Sequence, residues 1–353
     1  MFRRFIATAI SALALSCVEA QETPLPPPRS TVFFAQDDQA LEGFEENASR
    51  TRPMVDALVL AVTRKSDLAS AWRSLVAPTD RVGIKVATAG GPYFSSHRGV
   101  VEALIAGMEH AGIPRNRIVI WDRNSEELHA AGFLPKRDGY EVRAIDPPAG
   151  FDRDATIAAP VLGKLMWGDL VFVEKQRRPL GKAKDESDQL SSTSHLARIV
   201  SRDVTKIINV PVFSDERGCG VAGALYNMTV PNVDNWRRFT QTDGPIATSP
   251  AELYADERIG PKVVLHVLDG LLAQYAGGPA FSPNYAFAHQ TLYASKDPVA
   301  LDATALRKID EWRKLAKLPP LAKQGEWLDG AAQMGLGNAA EAAITLQSVE
   351  VAR

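Results

Sequence analysis

Short apolar runs rich in Val and Ile recur along the chain, and the segments between them place their apolar residues at helical spacing. The runs fall at 31–35, 81–87, 117–122, 140–145, 169–173, 262–269, 291–295 and 343–349, with a further one holding Ile207, Ile208, Val210 and Val212. Helical spacing predicts a helix from near Ser49, with Met54, Leu58, Leu60 and Val62 on or near its apolar side. Further helices are expected at 67–76, 98–111, 125–131 and 194–201, and from Asp297-Pro298 to about residue 318. Strand, glycine loop (Ala89 to Pro92), helix and strand over 81–122 form a βαβ unit, which requires a parallel pair and a right-handed crossover. The alternation throughout predicts an α/β fold, a mostly parallel sheet with helices on both faces. A boundary between two lobes, if the fold has one, belongs between Pro147 and Gly168.

The stretch from Val204 to Phe239 stands out. Its apolar strand meets Pro211, after which Ser214, Asp215, Glu216 and Arg217 read as a polar turn. Gly218, Cys219 and Gly220 and a run of small residues to Asn227 then bring backbone close to a ligand or to another strand.

At the N-terminus, Arg3 and Arg4, an apolar run from Phe5 to Leu15 and the small-x-small triplet Val18-Glu19-Ala20 have the form of a signal peptide over residues 1–20. The apolar run is too short to span a bilayer. Export through the general secretory route is expected, with a periplasmic or extracellular mature protein and no membrane attachment after cleavage. Residues 21–30 are a Pro-rich linker, and residues 31–350 the folded part. Cleavage would leave Cys219 as the remaining cysteine, so no cysteine-ligated iron–sulfur cluster and no internal disulfide are expected. The formal net charge is −2 with Lys and Arg scattered, which gives no electrostatic footprint for nucleic acid. The basic group over 175–184 is interleaved with acids and reads as a solvated loop.

Ligands of open α/β sheets sit beyond the carboxyl ends of the strands. The polar residues expected there are Ser95, Ser96, His97, Asp122, 214–217, Asn227, Asp269 and Asp297. Lys85, inside an apolar strand, must reach the strand end or pair with a carboxylate or anion. Asp302, in the apolar early part of its helix, likewise needs a partner. Asp297 before Pro298 is fully explained as a helix N-cap. His97 is either a ligand-binding residue or part of a cap, His266 a satisfied core histidine and Cys219 a packed thiol. No HExxH, GxSxG or P-loop is present, and the dispersed His and Asp residues make a weak metal case.

The segments VGIKV (Val82 to Val86), IINVPV (Ile207 to Val212), Asn227, VLDGL (Val267 to Leu271), GGP (Gly277 to Pro279), SKDPVALDA (Ser295 to Ala303) and GLG (Gly335 to Gly337) occur in that order. Together they resemble the DUF362 domain family over about residues 80 to 350. The resemblance implies an α/β fold and, through the family's association with ferredoxin-type modules, redox chemistry; such a module is not seen in this sequence. It also implies cations where this chain has Ser214, Glu216 and Tyr226, whereas Asn227, Gly220 and Gly223 follow the pattern. Two functions are therefore expected as alternatives. One is an exported small-molecule enzyme with Glu216 as acid/base, Lys85 as charge stabiliser, Asp302 as a further catalytic carboxylate, Asn227 as orienting group, and Ser214, Asp269, Asp297 and His97 as ligand-binding residues. The other is a non-catalytic ligand-binding relative. The cofactor, if any, is left open.

Overall fold

The computed structural model describes residues 29–134, 139–146, 150–157, 194–234, 236–239 and 249–352. The expected signal peptide, most of the linker, the strand at 169–173 and the basic loop lie outside these residues, as do 147–149 and 158–168 of the expected lobe boundary.

The chain opens with strand β1 (Ser30–Gln36) and the small hairpin β2 (Leu41–Glu42) and β3 (Glu45–Glu46). Helices α1 (Ala48–Thr63) and α2 (Leu68–Arg73) follow, started by the side chains of Asn47 and Asp67, which accept hydrogen bonds from amides of the first turn. Then come β4 (Val82–Val86), α3 (Arg98–His110), β5 (Ile118–Asp122), α4 (Ser125–Ala130) and β6 (Glu141–Ala144), which is the expected βαβ unit and its continuation. A side pair, β7 (Phe151–Ile157) and β8 (Ser194–Ala197), is antiparallel. The central stretch forms β9 (Lys206–Val210), β10 (Val212–Glu216), β11 (Gly220–Val221) and α5 (Ala224–Thr229). Helix α6 (Ser249–Tyr254), β12 (Val263–Gln274), β13 (Ala286–Ser295), α7 (Pro298–Leu315), α8 (Trp327–Gln333) and β14 (Ile344–Ser348) complete the fold.

The main sheet runs β14-β1-β13-β12-β9-β4-β5-β6, with β10 on β12 and β11 on β10. The ladder from β12 through β9, β4 and β5 to β6 is parallel, while β13 joins β12 and β1 antiparallel. The fold is α/β with helices on both faces. Strand residues alternate as the pleat requires. Val82, Ile84, Val86, Ile118, Ile120, Ile208 and Val210 pack with α1, α2 and α3. On the other face Val119, Trp121 and Ile207 pack with α5, α6, α7 and α8. Among the described residues no helix is long and apolar enough to cross a membrane.

Three local expectations are corrected. Residues 194–201 are not a helix: Ser194–Ala197 is a strand and Ile199–Asp203 a π-turn, because pairing with β7 outweighs the weak periodicity of so short a segment. The polar residues after Pro211 do not turn where expected. Ser214, Asp215 and Glu216 continue as β10, all five residues of which are buried, because the strand finds a new partner in the far half of β12; the turn comes one step later, at Arg217 to Cys219. Finally, Asp269-Gly270 does not end β12. A Cβ on Gly270 would lie 2.6 Å from the Thr291 carbonyl oxygen, so the glycine permits close approach of β13 at a register shift and the strand runs on.

Candidate functional site

Strand order places the site. From β4 the chain proceeds to β5 and β6 on one side, and returns to β9 and β12 on the other. The gap between β4 and β9 is therefore the topological switch point of the parallel ladder, where crossovers leave in opposite directions and cannot cover the strand ends. The ladder there ends at Val86↔Val210. Pro211 has no amide hydrogen to donate, and the chain beyond it pairs with β12, so β10 diverges from β4. The fork leaves a cavity of about 240 Å³. Its walls are the loop Ala87 to Gly90, Asp122 and Arg123 at the end of β5, Glu127 of α4, Val212, Tyr226 and Asn227 of α5, Pro231, Trp236 and Pro279.

Beneath the cavity a polar row crosses the sheet. Trp121, Lys85, Asn209 and His266 are register partners on β5, β4, β9 and β12, facing α5. Lys85 is fully buried. Its Nζ donates to Asp122 Oδ1 at 2.7 Å, to Asn227 Oδ1 at 3.0 Å and to the Val86 carbonyl at 2.7 Å. Burial pushes its pKa below the ordinary lysine value, and Asp122 opposes that shift. Three acceptors are met in full only by the three hydrogens of an ammonium, so we take Lys85 as charged. Asp122 also accepts the Thr88 amide at 2.8 Å, the Thr88 hydroxyl at 2.6 Å and the Arg123 amide at 2.8 Å.

The amide orientations beyond Lys85 are dictated from both ends. Lys85 can only donate, which turns Asn227 Oδ1 towards it and Nδ2 towards Asn209 Oδ1 at 2.8 Å. Asn209 Nδ2 then donates to the Ala224 carbonyl, which can only accept, and faces His266 Nδ1 at 3.0 Å. His266 Nε2 lies 3.1 Å from the Tyr254 hydroxyl. Burial pushes His266 down to about 3, in keeping with a neutral ring accepting at Nδ1. The row is a one-way chain of hydrogen bonds that fixes Asn227 at the cavity wall.

Other wall groups carry perturbed ionisation. Burial and the neighbouring Asp122 charge raise Glu127, against the pull of Lys85 and Arg123, and no described donor hydrogen-bonds its carboxylate. Burial lowers Arg123 to about 10, leaving it a cation at neutral pH. Its Nη1 donates to the carbonyls of Pro231 and Val233 at 3.0 and 2.9 Å, and the guanidinium lies over the rings of Phe151 and Trp236. Burial raises the Tyr226 phenol well above its ordinary value, so it stays protonated.

Of the residues singled out from sequence, the structure brings Lys85 and Asn227 together with Asp122. The others lie elsewhere. Glu216 accepts the amides of Gly218 at 2.6 Å and Cys219 at 2.7 Å; its carboxylate closes its own turn and does not line the cavity. Ser214 donates to the Asp215 carbonyl. Asp269 and His97 meet on the α3 side of the sheet, the His97 amide donating to Oδ2 at 2.7 Å and Nδ1 lying 2.9 Å from it. Asp297 caps α7 through the Ala300 amide at 2.8 Å, and accepts the Asn338 amide and the Ser30 hydroxyl.

Asp302 acts at one remove, accepting the Ala224 and Leu225 amides at 2.5 and 2.9 Å and so anchoring the helix that carries Asn227. Gly223 permits this, since a Cβ there would lie 2.0 Å from Asp302 Oδ1. Cys219 is a buried free thiol, 3.3 Å from the Val221 carbonyl oxygen. Among the described residues no group of three or more His, Cys, Asp and Glu is arranged to hold a metal. Arg123, Glu127, Thr88 and Trp236 escape the sequence reading. Arg123 and Glu127 were within reach of the strand-end rule, had it been extended from Asp122 to the next residue and the first turn of the next helix.

Burial raises Asp302 to about 7 despite its two amide donors. A carboxyl whose folded pKa exceeds its unfolded value of about 3.9 holds a proton that the unfolded chain releases. Its contribution to stability is thus present below pH 4 and lost as pH rises to about 7. Asp302→Asn is expected to remove that slope, of up to ~1.4 kcal/mol per pH unit. Denaturant unfolding of both proteins from pH 4 to 8 checks it: a stability difference constant across that range would rule out a raised Asp302 pKa.

Residues 82–307 match the family model described as "Domain of unknown function (DUF362)". No curated protein matches the chain. A crystal structure of a protein from Thermotoga maritima is similar at 11% identity and a TM-score of 0.38, over 79% of this chain. This chain spans 61% of the length of that protein.

Proposed function

The chain belongs to the DUF362 family, and from that premise we propose that it is an enzyme acting on a compact small molecule in the cavity between β4 and β10. The observation that carries this reading is the position of the cavity: at the switch point, over a buried, fully hydrogen-bonded Lys85–Asp122–Asn227 cluster, with a carboxylate of raised pKa on its wall. A buried ion pair of this kind is a costly way to stabilise a sheet, and it holds two wall residues, Asp122 and Asn227, in fixed orientation.

In the proposed mechanism Glu127 is the acid/base, the role first expected of Glu216, whose carboxylate is spent on backbone amides. A carboxyl raised above its ordinary value by burial and by Asp122 is the wall group suited to take up and return a proton within one turnover. Lys85 supplies positive charge from below the floor, and Asn227 orients the bound molecule. Tyr226, Trp236, Val212 and Pro279 supply apolar wall, which keeps water from the proton in transit. Non-catalytic binding is the second reading, favoured by the number of wall groups whose hydrogen bonds are already satisfied internally. We further propose export, supported by Arg3, Arg4, the apolar run to Leu15 and the Val18-Glu19-Ala20 triplet; N-terminal sequencing of the mature chain should then begin at Gln21, and a retained Met1 would remove the proposal.

The test is to incubate the purified mature chain with a small-molecule extract and follow it by mass spectrometry. Depletion of a compact metabolite with appearance of a product is expected. Saturable binding without any depletion would leave the second reading in its place.

A further inference from the structure

Resting on that reading of the cavity, we propose that Asn209 is a positioning residue of the site. It does not line the cavity, yet it dictates how the Asn227 side chain is turned at the wall. The direction is set at Ala224, where α5 begins. The Ala224 carbonyl can only accept, and it lies 2.8 Å from Asn209 Nδ2, which turns the nitrogen of that amide towards α5. Asn209 Oδ1 is left facing Asn227, whose Nδ2 donates to it at 2.8 Å. The Lys85 ammonium makes the same demand from the opposite side, since it needs the Asn227 oxygen, 3.0 Å away. Asn227 is thus set twice, once by the charge of Lys85 and once by the uncharged Asn209. A turned Asn227 amide would bring donor against donor and acceptor against acceptor.

This second hold matters at the wall. Asn227 lines the cavity, and its amide has one N–H and one oxygen lone pair beyond those that bind Asn209 and Lys85. A ligand meets those two valences in a fixed plane only if the amide cannot rotate. Asn209 is itself held without freedom. It is fully buried, and it sits between Lys85 and His266 in the register of β4, β9 and β12. Its second Nδ2 hydrogen faces His266 Nδ1 at 3.0 Å. That ring nitrogen must then be unprotonated, and the imidazole carries its hydrogen on Nε2, 3.1 Å from the Tyr254 oxygen. The tautomer of His266 is therefore a signature of the direction of the whole row.

Two measurements test the role of Asn209. In the parent protein the ring-nitrogen resonances of His266 should show Nδ1 without a proton and Nε2 with one. Asn209→Asp keeps an oxygen towards Asn227 but turns an acceptor onto His266, and should draw a proton onto Nδ1. Ligand binding is read from the indole resonance of Trp236, assigned with Trp236→Phe, using benzylamine, benzyl alcohol, benzoate and phenyl phosphate as probes. The probe that binds the parent most tightly is expected to bind Asn209→Leu at least about tenfold more weakly, and Asn209→Asp within about threefold of the parent. A proton on Nδ1 of the parent, which no variant needs to fold to reveal, would overturn the inference. So would no proton gained there in Asn209→Asp, or probe affinity indifferent to Asn209→Leu, and either would leave the cavity as the site. If none of the four probes shifts Trp236, both the inference and the reading of the cavity fail.

Discussion

Replacing Lys85 with Met should destabilise the protein by about 3–5 kcal/mol, the cost of leaving a buried carboxylate without its counter-ion. Asp122 is 5% exposed, and without Nζ its Oδ1 keeps one donor, the Arg123 amide. Asn227 Oδ1 and the Val86 carbonyl lose their donor as well. Each stranded buried acceptor adds roughly 1–3 kcal/mol in other proteins, so the effect should sit at the upper part of the range. The companion variant Lys85→Met/Asp122→Leu removes the stranded charge together with its partner. It should be more stable than Lys85→Met by at least about 1 kcal/mol, although Thr88 then loses its acceptor. Denaturant unfolding of the four proteins in the cycle reads this coupling. Additive losses would mean that Lys85 and Asp122 do not form the pair described above.

Glu127→Gln should lower turnover of the natural substrate by about 10²–10⁴-fold, the usual contribution of a positioned acid/base group, while leaving stability within about 0.5 kcal/mol of the parent. The separation follows from its surroundings. Glu127 is half-buried, no described donor is bound to it, and α4 is started by Asn124 Oδ1, which accepts the amides of Glu126 and Glu127 without involving the Glu127 side chain. Gln keeps the shape and an accepting oxygen, and loses the titrating carboxyl with its charge. The activity of the parent should rise with pH if Glu127 acts as a base and fall if it acts as an acid, with the turning point above the ordinary glutamate value because burial and Asp122 raise it. Full turnover in Glu127→Gln would place the proton transfer elsewhere in the cavity.

Much of the fold was legible because α/β architecture is written in two periodicities and in the glycine loop of one βαβ unit. Lys85 was legible for a sharper reason: a lysine between Ile84 and Val86 must find an acceptor, and the strand-end rule placed Asp122 close to it. Asn227 was reached through its small-residue segment, which proved to be the loop before α5 and the first turn of that helix. Long-range pairing was not legible. Pro211 reads as a stop because it cannot donate, yet the chain beyond it is recruited by β12, whose own length past Gly270 was also hidden. The direction of a carboxylate cannot be read from its neighbours in sequence either. Glu216, in a polar cluster beside glycines, turns inward onto its own backbone, while Glu127, on an ordinary-looking helix, faces the cavity. Asp297 and Asp302, five residues apart on one helix, show the same point: one caps its own helix and the other holds a different one.

The central claim is that the fork between β4 and β10 is where this protein binds its ligand. The most direct measurement is a crystal structure of the mature chain soaked with a mixture of compact fragments of every charge class. Ordered density is expected against Tyr226 and Trp236, within hydrogen-bond distance of Asp122 or Glu127, with the Lys85–Asn227–Asn209 orientation unchanged. Density confined to other surfaces, such as the His97–Asp269 pair, with only water at the fork, would contradict it.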